Sequence, residues 1–381
     1  MTQAVSSVAE KLTKAGPRKL LALDGGGIRG IIAVEILARI EKELRSASDN
    51  PRLVLADYFD YVAGTSTGAI IATLISLGFS VDDIREFYVR SGAEMFQPAR
   101  LWERLHTKFD DDNLTRMLKE VAGEETVLGS DKLRTLLMIV LRNATTDSAW
   151  PVSNNPKAKY NDLETRGAGS NLNLPLWQLI RASTAAPTYF PPEVIQVGPH
   201  QFVFVDGGVT MYNNPAFQLF LMATSESYRL CWPAGEDKML LISVGTGASA
   251  NASNHLSPRE MNLIYNASHI PSALMAAALH EQDFLCRTFG RCLAGDPLDR
   301  EIADVVGHGI PGMPKLFTYA RYNAELSREG LDALDLPQIE PAHVQQMDSV
   351  DHIAEMQEVG RAVADQKVKT THFGGFPPPN D

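Results

Sequence analysis

The chain has 381 residues, and 35 Lys and Arg against 46 Asp and Glu give it a formal net charge of −11. With 44% apolar and 21% charged residues, its composition is that of a globular protein and excludes disordered, collagen-like and small disulfide-stapled classes. A pI near 5.4 argues against a nucleic-acid polymer as partner, because phosphate contacts need a basic face. Any contact with an anionic membrane must therefore be local.

Cysteine usage and the apolar runs predict a cytoplasmic protein. The three cysteines, Cys231, Cys286 and Cys292, are a sparse, odd set that suits a reducing compartment, and their spacing is not that of a zinc site. The N-terminal segment has no apolar core of signal-peptide length. The longest near-apolar run, residues 68–79, is too short to span a bilayer of ~30 Å.

The first 77 residues predict a strand–turn–helix unit that occurs twice. An apolar run over 18–23 stops at Asp24 and three glycines, and residues 31–45 follow with helical spacing. A second strand-like run over 53–62 ends at Gly64, and 67–77 reads as an apolar helix. This repetition predicts an α/β three-layer sandwich, with a mostly parallel central sheet and helices on both faces.

The rest of the chain continues the alternation of strands and helices. Further helices are predicted over 82–90, 113–121, 176–186, 216–225, 259–290 and 349–366, and further strands over 133–141, 202–205, 240–244 and 316–322. Residues 151–172 are predicted to form a surface loop. The charged helix 349–366 is predicted to be solvated, and the tail from Thr370 is predicted to be frayed. The Ala- and Leu-rich stretch 259–290 fits either a homo-oligomer contact or ordinary core.

The first segment with chemical potential is the glycine turn Asp24–Gly30. Its glycines allow a sharp turn that leaves N–H groups uncovered at a helix N-terminus, a geometry that binds anions. Gly25, Gly27 and Gly30 also satisfy the dinucleotide pattern G-x-G-x-x-G. The segment alone does not separate a cofactor pyrophosphate from the oxyanion of acyl transfer, and a ligand-free turn is the simpler reading.

The second segment, Gly64–Gly68, matches the nucleophile elbow G-x-S-x-G. Its small residues permit a strained turn that presents the Ser66 hydroxyl above a helix N-terminus. A plain helix cap is the alternative. The third segment is Asp206-Gly207-Gly208, where a carboxylate at a strand end could act as a general base toward Ser66 or simply form a turn.

Together these segments resemble the patatin-like phospholipase family. The glycine-rich loop, the elbow and the Asp206-Gly207-Gly208 motif occur in the family's order. The stretches 185–192 and 213–215 also match, and the resemblance runs from about residue 18 to 247. It predicts an acyl hydrolase domain over 18–330, followed by a C-terminal helical extension and frayed tail over 331–381.

The resemblance implies a Ser66–Asp206 dyad that cleaves glycerolipid esters through an acyl-enzyme. Gly25, Gly26 and Gly27 would form the oxyanion loop, with the amides of Gly26 and Gly27 as donors and Arg29 nearby, and Gly64 and Gly68 would frame the elbow. No cofactor and no metal are implied, since no calcium-loop pattern is present. A phospholipid or another glycerolipid is the expected substrate, with peripheral membrane contact.

Three other functions stay open from the sequence alone. A Ser–His–Asp triad would need one of the later histidines: His255, His269, His280 or His308. A nicotinamide-dinucleotide oxidoreductase would use Gly25, Gly27 and Gly30 with an acidic residue such as Asp57 near the second strand. A lipid-binding protein without turnover is the third, and the intact dyad argues against it.

Two further expectations concern regulation and membrane access. Apolar residues from Met95 to Phe109, including Trp102, fall on one helical face beside basic residues, a pattern of either an interfacial lid or core packing. By analogy with some bacterial members of the family, a cyclic nucleotide could activate the chain as a membrane-degrading effector. The region after 250 would then hold the sensor.

Overall fold

The computed structural model describes residues 7–95, 111–248 and 263–379. Nine strands form one sheet: β1 Arg18–Leu23, β2 Tyr61–Thr65, β3 Leu136–Asn143, β4 Ser148–Ser153, β5 Glu193–Val197, β6 His200–Asp206, β7 Met239–Val244, β8 Arg291–Ala294 and β9 Thr318–Tyr322. The order is β5-β6-β3-β2-β1-β7-β9-β8, with β4 paired to β3. Strands β3, β2, β1, β7, β9 and β8 run parallel, whereas β4, β5 and β6 pair antiparallel.

The described α-helices flank this sheet. They are α1 Val8–Thr13, α2 Gly30–Ser48, α3 Leu55–Tyr58, α4 Thr67–Ser76, α5 Val81–Met95, α6 Asp111–Ala122, α7 Leu163–Arg166, α8 Leu176–Ser183, α9 Ala216–Thr224, α10 Leu263–Phe289, α11 Arg328–Ala333, α12 Pro341–Gln345 and α13 Ile353–Lys367. None of them is both long and apolar enough to cross a membrane.

The central strands separate two apolar cores. On β1, Leu21 and Leu23 belong to a core with α2, α4 and α13, whereas Leu20 and Ala22 belong to another core with α9 and α10. Alternate residues of a strand point to opposite faces, so β1 is buried on both sides. The predicted three-layer α/β sandwich with a mostly parallel sheet is confirmed.

Two local predictions are wrong in part. The run 53–62 begins as helix α3, because the Asp57 carboxylate accepts the Val54 N–H at 3.0 Å and caps a helical turn before β2 starts. The stretch 151–172 is only partly a surface loop. Its first residues complete β4, and Asn161 is buried, donating to the carbonyls of Ser153 and Asn155 at 2.6 Å each.

The C-terminal predictions also need correction. Helix α13 packs along α2 and buries Met356, Val359 and Val363, so it is not a solvated face. The tail is not frayed within the described residues. Phe373 and Phe376 are buried, and the Tyr58 hydroxyl donates to the Phe376 carbonyl at 2.7 Å. The domain boundary near residue 330 stays a prediction.

The apolar face that predicts either an interfacial lid or core packing lies almost entirely outside the described residues. Its first member, Met95, ends α5 and is buried.

Candidate active site

The pairing of β3 explains how Ser66 and Asp206 meet. Strand β4 occupies one edge of β3 from Met138 to Asn143, so β2 and β6 must share the other edge. Parallel β2 ends with Thr65 opposite Val140, and antiparallel β6 ends with Asp206 opposite Leu141. The two strands therefore meet end to end, and the residues at their tips become neighbours although 140 positions separate them.

The elbow holds Ser66 in a backbone conformation that L-residues rarely adopt. Its φ is 54° and its ψ −124°, and α4 begins at the next residue. The two framing glycines have no room for a side chain. A Cβ on Gly64 would lie 2.0 Å from the Gly68 carbonyl oxygen, and a Cβ on Gly68 would lie 2.4 Å from the Leu23 carbonyl oxygen. The predicted strand–turn–helix elbow is present.

Ser66 and Asp206 are in direct contact. The Ser66 Oγ donates to Oδ2 of Asp206 at 2.6 Å, and Oδ1 accepts the Gly208 N–H at 2.6 Å. Both side chains are buried. Burial raises the pKa of Asp206 to about 6, although hydrogen bonds from Ser66 and Gly208 oppose this effect. Such a carboxylate is a stronger base than an exposed one and is ionised at neutral pH.

The glycine loop lies against Ser66. A Cβ on Gly25 would be 3.2 Å from the Ser66 Cβ. The Gly25 N–H donates to the Asn213 carbonyl at 3.2 Å, and the Ile28 N–H donates to the Met347 carbonyl at 2.9 Å. Between them, the amides of Gly26 and Gly27 have no acceptor among the described residues. Gly25 is expected in the oxyanion loop, and its contact with Ser66 positions this loop. Its amide, however, already donates to the Asn213 carbonyl and is not free to bind an oxyanion.

Arg29 stands behind this loop. Its guanidinium donates to the carbonyls of Gly26 at 3.4 Å and Gln345 at 3.2 Å, and it forms no ion pair with a described carboxylate. Burial lowers its pKa to about 10, so it remains charged at neutral pH. A positively charged guanidinium therefore lies against the glycine loop, at the Gly26 carbonyl.

Two positioning groups were missed by the sequence reasoning. The Ser183 hydroxyl, at the end of α8, accepts the Ser66 N–H at 2.9 Å and donates to the Val140 carbonyl at 2.7 Å. It thereby fixes the elbow to β3. Ser183 lies just before the stretch 185–192, which also matches the family, and this proximity is the one sequence signal that pointed to it.

The second missed group is an ion pair that holds the start of the glycine loop. Arg321 of β9 donates to Asp24 Oδ1 at 2.9 Å and to the Ser243 hydroxyl at 2.7 Å, with both charged side chains fully buried. The Thr246 hydroxyl donates to the Gly25 carbonyl at 2.8 Å. No pattern in the sequence pairs Asp24 with a residue 297 positions away.

The histidine-based triad finds no support in the described residues. Ser66 donates directly to Asp206, so no imidazole stands between the hydroxyl and the carboxylate. His280 and His308 are exposed. His255 and the side chain of His269 lie outside the part of the chain that the structure describes.

The dinucleotide alternative is wrong about its acidic partner. Asp57 lies in α3, before β2 begins, and is ion-paired with Arg134. In a parallel sheet, the residue before one strand lies at the edge opposite the carboxyl end of its neighbour. Asp57 therefore lies across the sheet from Gly25–Gly30 and is not placed to bind a ribose there.

Comparison with known proteins agrees with this geometry. The sequence model of the patatin-like phospholipase family matches residues 21–220, more than half of the chain. The chain therefore belongs to the patatin-like phospholipase family. The match includes the glycine loop, the elbow and Asp206.

Individual relatives are more distant. Patatin-17 of Solanum cardiophyllum is 29% identical over 256 residues, which cover 61% of each chain. Patatin-like protein 4 of Arabidopsis thaliana is 30% identical over 252 residues, which cover 60% of this chain and 59% of that protein. The chain thus spans about three fifths of the length of these relatives.

Among solved structures, human GIVD cytosolic phospholipase A2 matches over 96% of this chain and 62% of its own, with 13% identity and a TM-score of 0.44. VipD from Legionella pneumophila matches over 90% of this chain and 67% of its own, with 13% identity and a TM-score of 0.33.

Proposed function

We propose that the chain is a serine acyl hydrolase that cleaves carboxylic esters of glycerolipids. The 2.6 Å hydrogen bond from the Ser66 hydroxyl to the buried Asp206 carboxylate is the observation that carries this proposal. Membership of the patatin-like phospholipase family supports a lipid ester as the substrate class.

The first half-reaction forms an acyl-enzyme. Ser66 Oγ bonds to the ester carbonyl carbon while its proton passes to Asp206. The oxyanion accepts hydrogen bonds from the amides of Gly26 and Gly27, and the charge of Arg29 favours it further. Collapse of the intermediate breaks the ester bond, and Asp206 returns the proton to the departing alcohol of the lysolipid.

Water completes the cycle. Asp206 takes a proton from a water molecule, whose oxygen bonds to the acyl carbon. The bond to Ser66 then breaks, Ser66 regains a proton from Asp206, and a fatty acid leaves. These steps use the side chains of Ser66 and Asp206, the oxyanion donors of the glycine loop and one water molecule.

Mixed-lipid vesicles test the reaction. Wild type should release free acyl chains that mass spectrometry detects, Ser66→Ala should release none, and Asp206→Asn should lower the rate about 10²–10⁴-fold, the usual contribution of a general base. The exposed-site controls Ser46→Ala and Asp131→Asn should keep wild-type rates. Full activity of Ser66→Ala would overturn the proposal.

We propose further that the protein meets its substrate as a peripheral membrane protein. Met275 of α10 approaches Gly208, and a Cβ there would lie 3.6 Å from its Cε. Its chain neighbour Leu274 is 65% exposed, and Met211, three residues after Gly208, is 49% exposed. Exposed apolar side chains beside the dyad could enter the interface of a bilayer.

Vesicle sedimentation tests this contact. Leu274→Glu combined with Met211→Glu should weaken binding to phosphatidylcholine vesicles and spare hydrolysis of a soluble ester. Ile310→Glu is the matched control, since Ile310 is similarly exposed but lies in the segment between β8 and β9, on the far side of β1 from β2 and β6 in the strand order. Equal vesicle binding by all three proteins would contradict the proposed surface.

Activation by a cyclic nucleotide, with a role as a membrane-degrading effector, stays a prediction from family analogy. Release of acyl chains should rise when the activating member of a panel of cyclic di- and trinucleotides is added. If acyl chains are released at the same rate with each nucleotide as without nucleotide, activation by a cyclic nucleotide is excluded for that panel.

A further inference from the structure

A second cluster of ligand-type side chains lies away from the dyad, in the C-terminal part of the chain. His343 belongs to α12, His352 directly precedes α13, and Glu355 is in the first turn of α13. The His343 Nδ1 lies 3.0 Å from one carboxylate oxygen of Glu355, and the His352 Nδ1 lies 2.8 Å from the other. Two imidazoles therefore converge on one carboxylate.

The geometry of this cluster is close to that of a metal site. The two imidazole rings stack with centroids 3.7 Å apart and planes 16° apart. One ligand atom from each of the three residues lies within 4.8 Å of the other two. Tetrahedral zinc, with bonds of about 2.0–2.2 Å, needs ligand atoms roughly 3.3–3.6 Å apart. Small side-chain rotations would supply that spacing.

The charges and exposure of the cluster also suit a cation. Among the described residues, no Lys or Arg forms an ion pair with Glu355, whose side-chain partners are the two histidines. The three side chains are 30–39% exposed, so an ion could enter and water could complete its coordination. Imidazole nitrogen with one carboxylate favours zinc-type ions over Mg²⁺ or Ca²⁺, which prefer oxygen ligands.

We propose that His343, His352 and Glu355 bind one divalent transition-metal ion of the zinc type, with water in the remaining position. The ion would replace the hydrogen bonds between the imidazoles and the carboxylate. It would also link α12 directly to the start of α13.

This link would act on the glycine loop. The segment between the two histidines supplies the Met347 carbonyl, which accepts the Ile28 N–H at 2.9 Å. The adjacent Gln345 carbonyl accepts from Arg29 at 3.2 Å. An ion that joins both ends of this segment would restrain it, and with it the loop that carries Gly26 and Gly27.

Equilibrium dialysis against Zn²⁺ with elemental analysis tests the site, using the full chain without a histidine tag after chelator treatment. Wild type should bind one zinc ion that excess Mg²⁺ does not displace. His343→Ala with His352→Ala should weaken binding at least about tenfold, the smaller end of the loss seen even for outer-shell partners. Glu355→Gln preserves the side-chain shape and should weaken binding as well, which covers failure of the double variant to fold.

The control is His200→Ala with His308→Ala, which removes two exposed histidines elsewhere and should bind zinc as wild type does. No stoichiometric zinc on wild type, or equal binding by the double variant, would overturn the site. Hydrogen exchange at Ile28 should slow with zinc in wild type only. Unchanged exchange in zinc-loaded wild type would overturn the proposed restraint of the loop.

Discussion

At the scale of single residues, burial makes the Asp206 carboxylate a stronger base. An exposed aspartate is too weak a base to take a proton from a serine hydroxyl, but Asp206 lies in a low-dielectric site that raises its pKa to about 6. Only two donors, the Ser66 hydroxyl and the Gly208 amide, hydrogen-bond its carboxylate in the described structure. Desolvation therefore outweighs hydrogen bonding.

The activity should depend on pH through this carboxylate. Because the general base must be ionised, kcat/KM for a soluble ester should rise about tenfold per pH unit below about 6 and level off above it. A rate profile from pH 4.5 to 8 measures this directly. A plateau that extends down to pH 4.5 would contradict a base with a raised pKa.

The same group should destabilise the fold at neutral pH. The folded protein binds the Asp206 proton more tightly than the unfolded chain does, so its contribution favours folding below about pH 4 and is lost between about pH 4 and 6. Asp206→Asn should therefore gain unfolding free energy relative to wild type as pH rises from 4 to 7, by up to about 3 kcal/mol. Urea titrations at both pH values test this, and an unchanged difference would argue against it.

The buried pair of Asp24 and Arg321 gives a prediction about stability. Arg321→Met leaves Asp24 buried without its partner and should cost about 3–5 kcal/mol, part of which Asp24→Asn should restore. Arg116→Met is the control. Arg116 pairs with Glu94 and Glu120 at the surface, and its loss should leave the urea midpoint close to that of wild type, because exposed ion pairs contribute little to stability. Equal midpoints in urea for both single variants would contradict this contrast.

At the scale of elements, the elbow depends on contacts between backbones. Gly64→Ala would place its Cβ 2.0 Å from the Gly68 carbonyl, and neither atom belongs to a flexible side chain. We expect a loss of at least about 3 kcal/mol in unfolding free energy and of most activity. Gly375→Ala, where the added Cβ would have no neighbour within 4 Å, should leave both quantities unchanged. Thermal melts and ester assays compare the two.

Local patterns predict these elements well, whereas register lies beyond them. The glycine turn and the elbow are each a single short segment of sequence, so their own residues predict strand–turn–helix units. The structure confirms both units. The end-to-end meeting of β2 and β6 depends on which edge of β3 each strand takes, and short-range periodicity carries no such information. The cluster of His343, His352 and Glu355 escaped notice for the same reason, because folding brings α12 against α13.

At the scale of the whole molecule, the region after residue 250 completes the fold. Strands β8 and β9 extend the sheet, and β9 contributes Arg321 to the support of Asp24. The resemblance to the family ends near residue 247, so it assigns no role to this region, and the composition of the tail alone predicts a frayed end. Burial of Phe373 and Phe376 in a proline- and glycine-rich tail depends on a surface formed by residues distant in sequence, such as Tyr58.

The docked tail should contribute measurably to stability. Phe376→Ala removes a buried ring and should cost about 3–5 kcal/mol. Pro379→Ala, at an exposed position of the same tail, should change the unfolding free energy by no more than about 0.5 kcal/mol. Urea denaturation distinguishes a docked tail from a loose one, since a loose tail would make both variants neutral.

The end-to-end meeting of β2 and β6 also determines when, during synthesis, the protein can become active. Under the proposed mechanism, a ribosome-bound chain that has emerged only as far as β3 carries Ser66, the nucleophile, but still lacks Asp206, the base. The arginine that anchors the glycine loop is made later still, 115 residues after the base. Under the proposed reaction, nascent or truncated chains that end before Asp206 should therefore release no acyl chains from lipid vesicles.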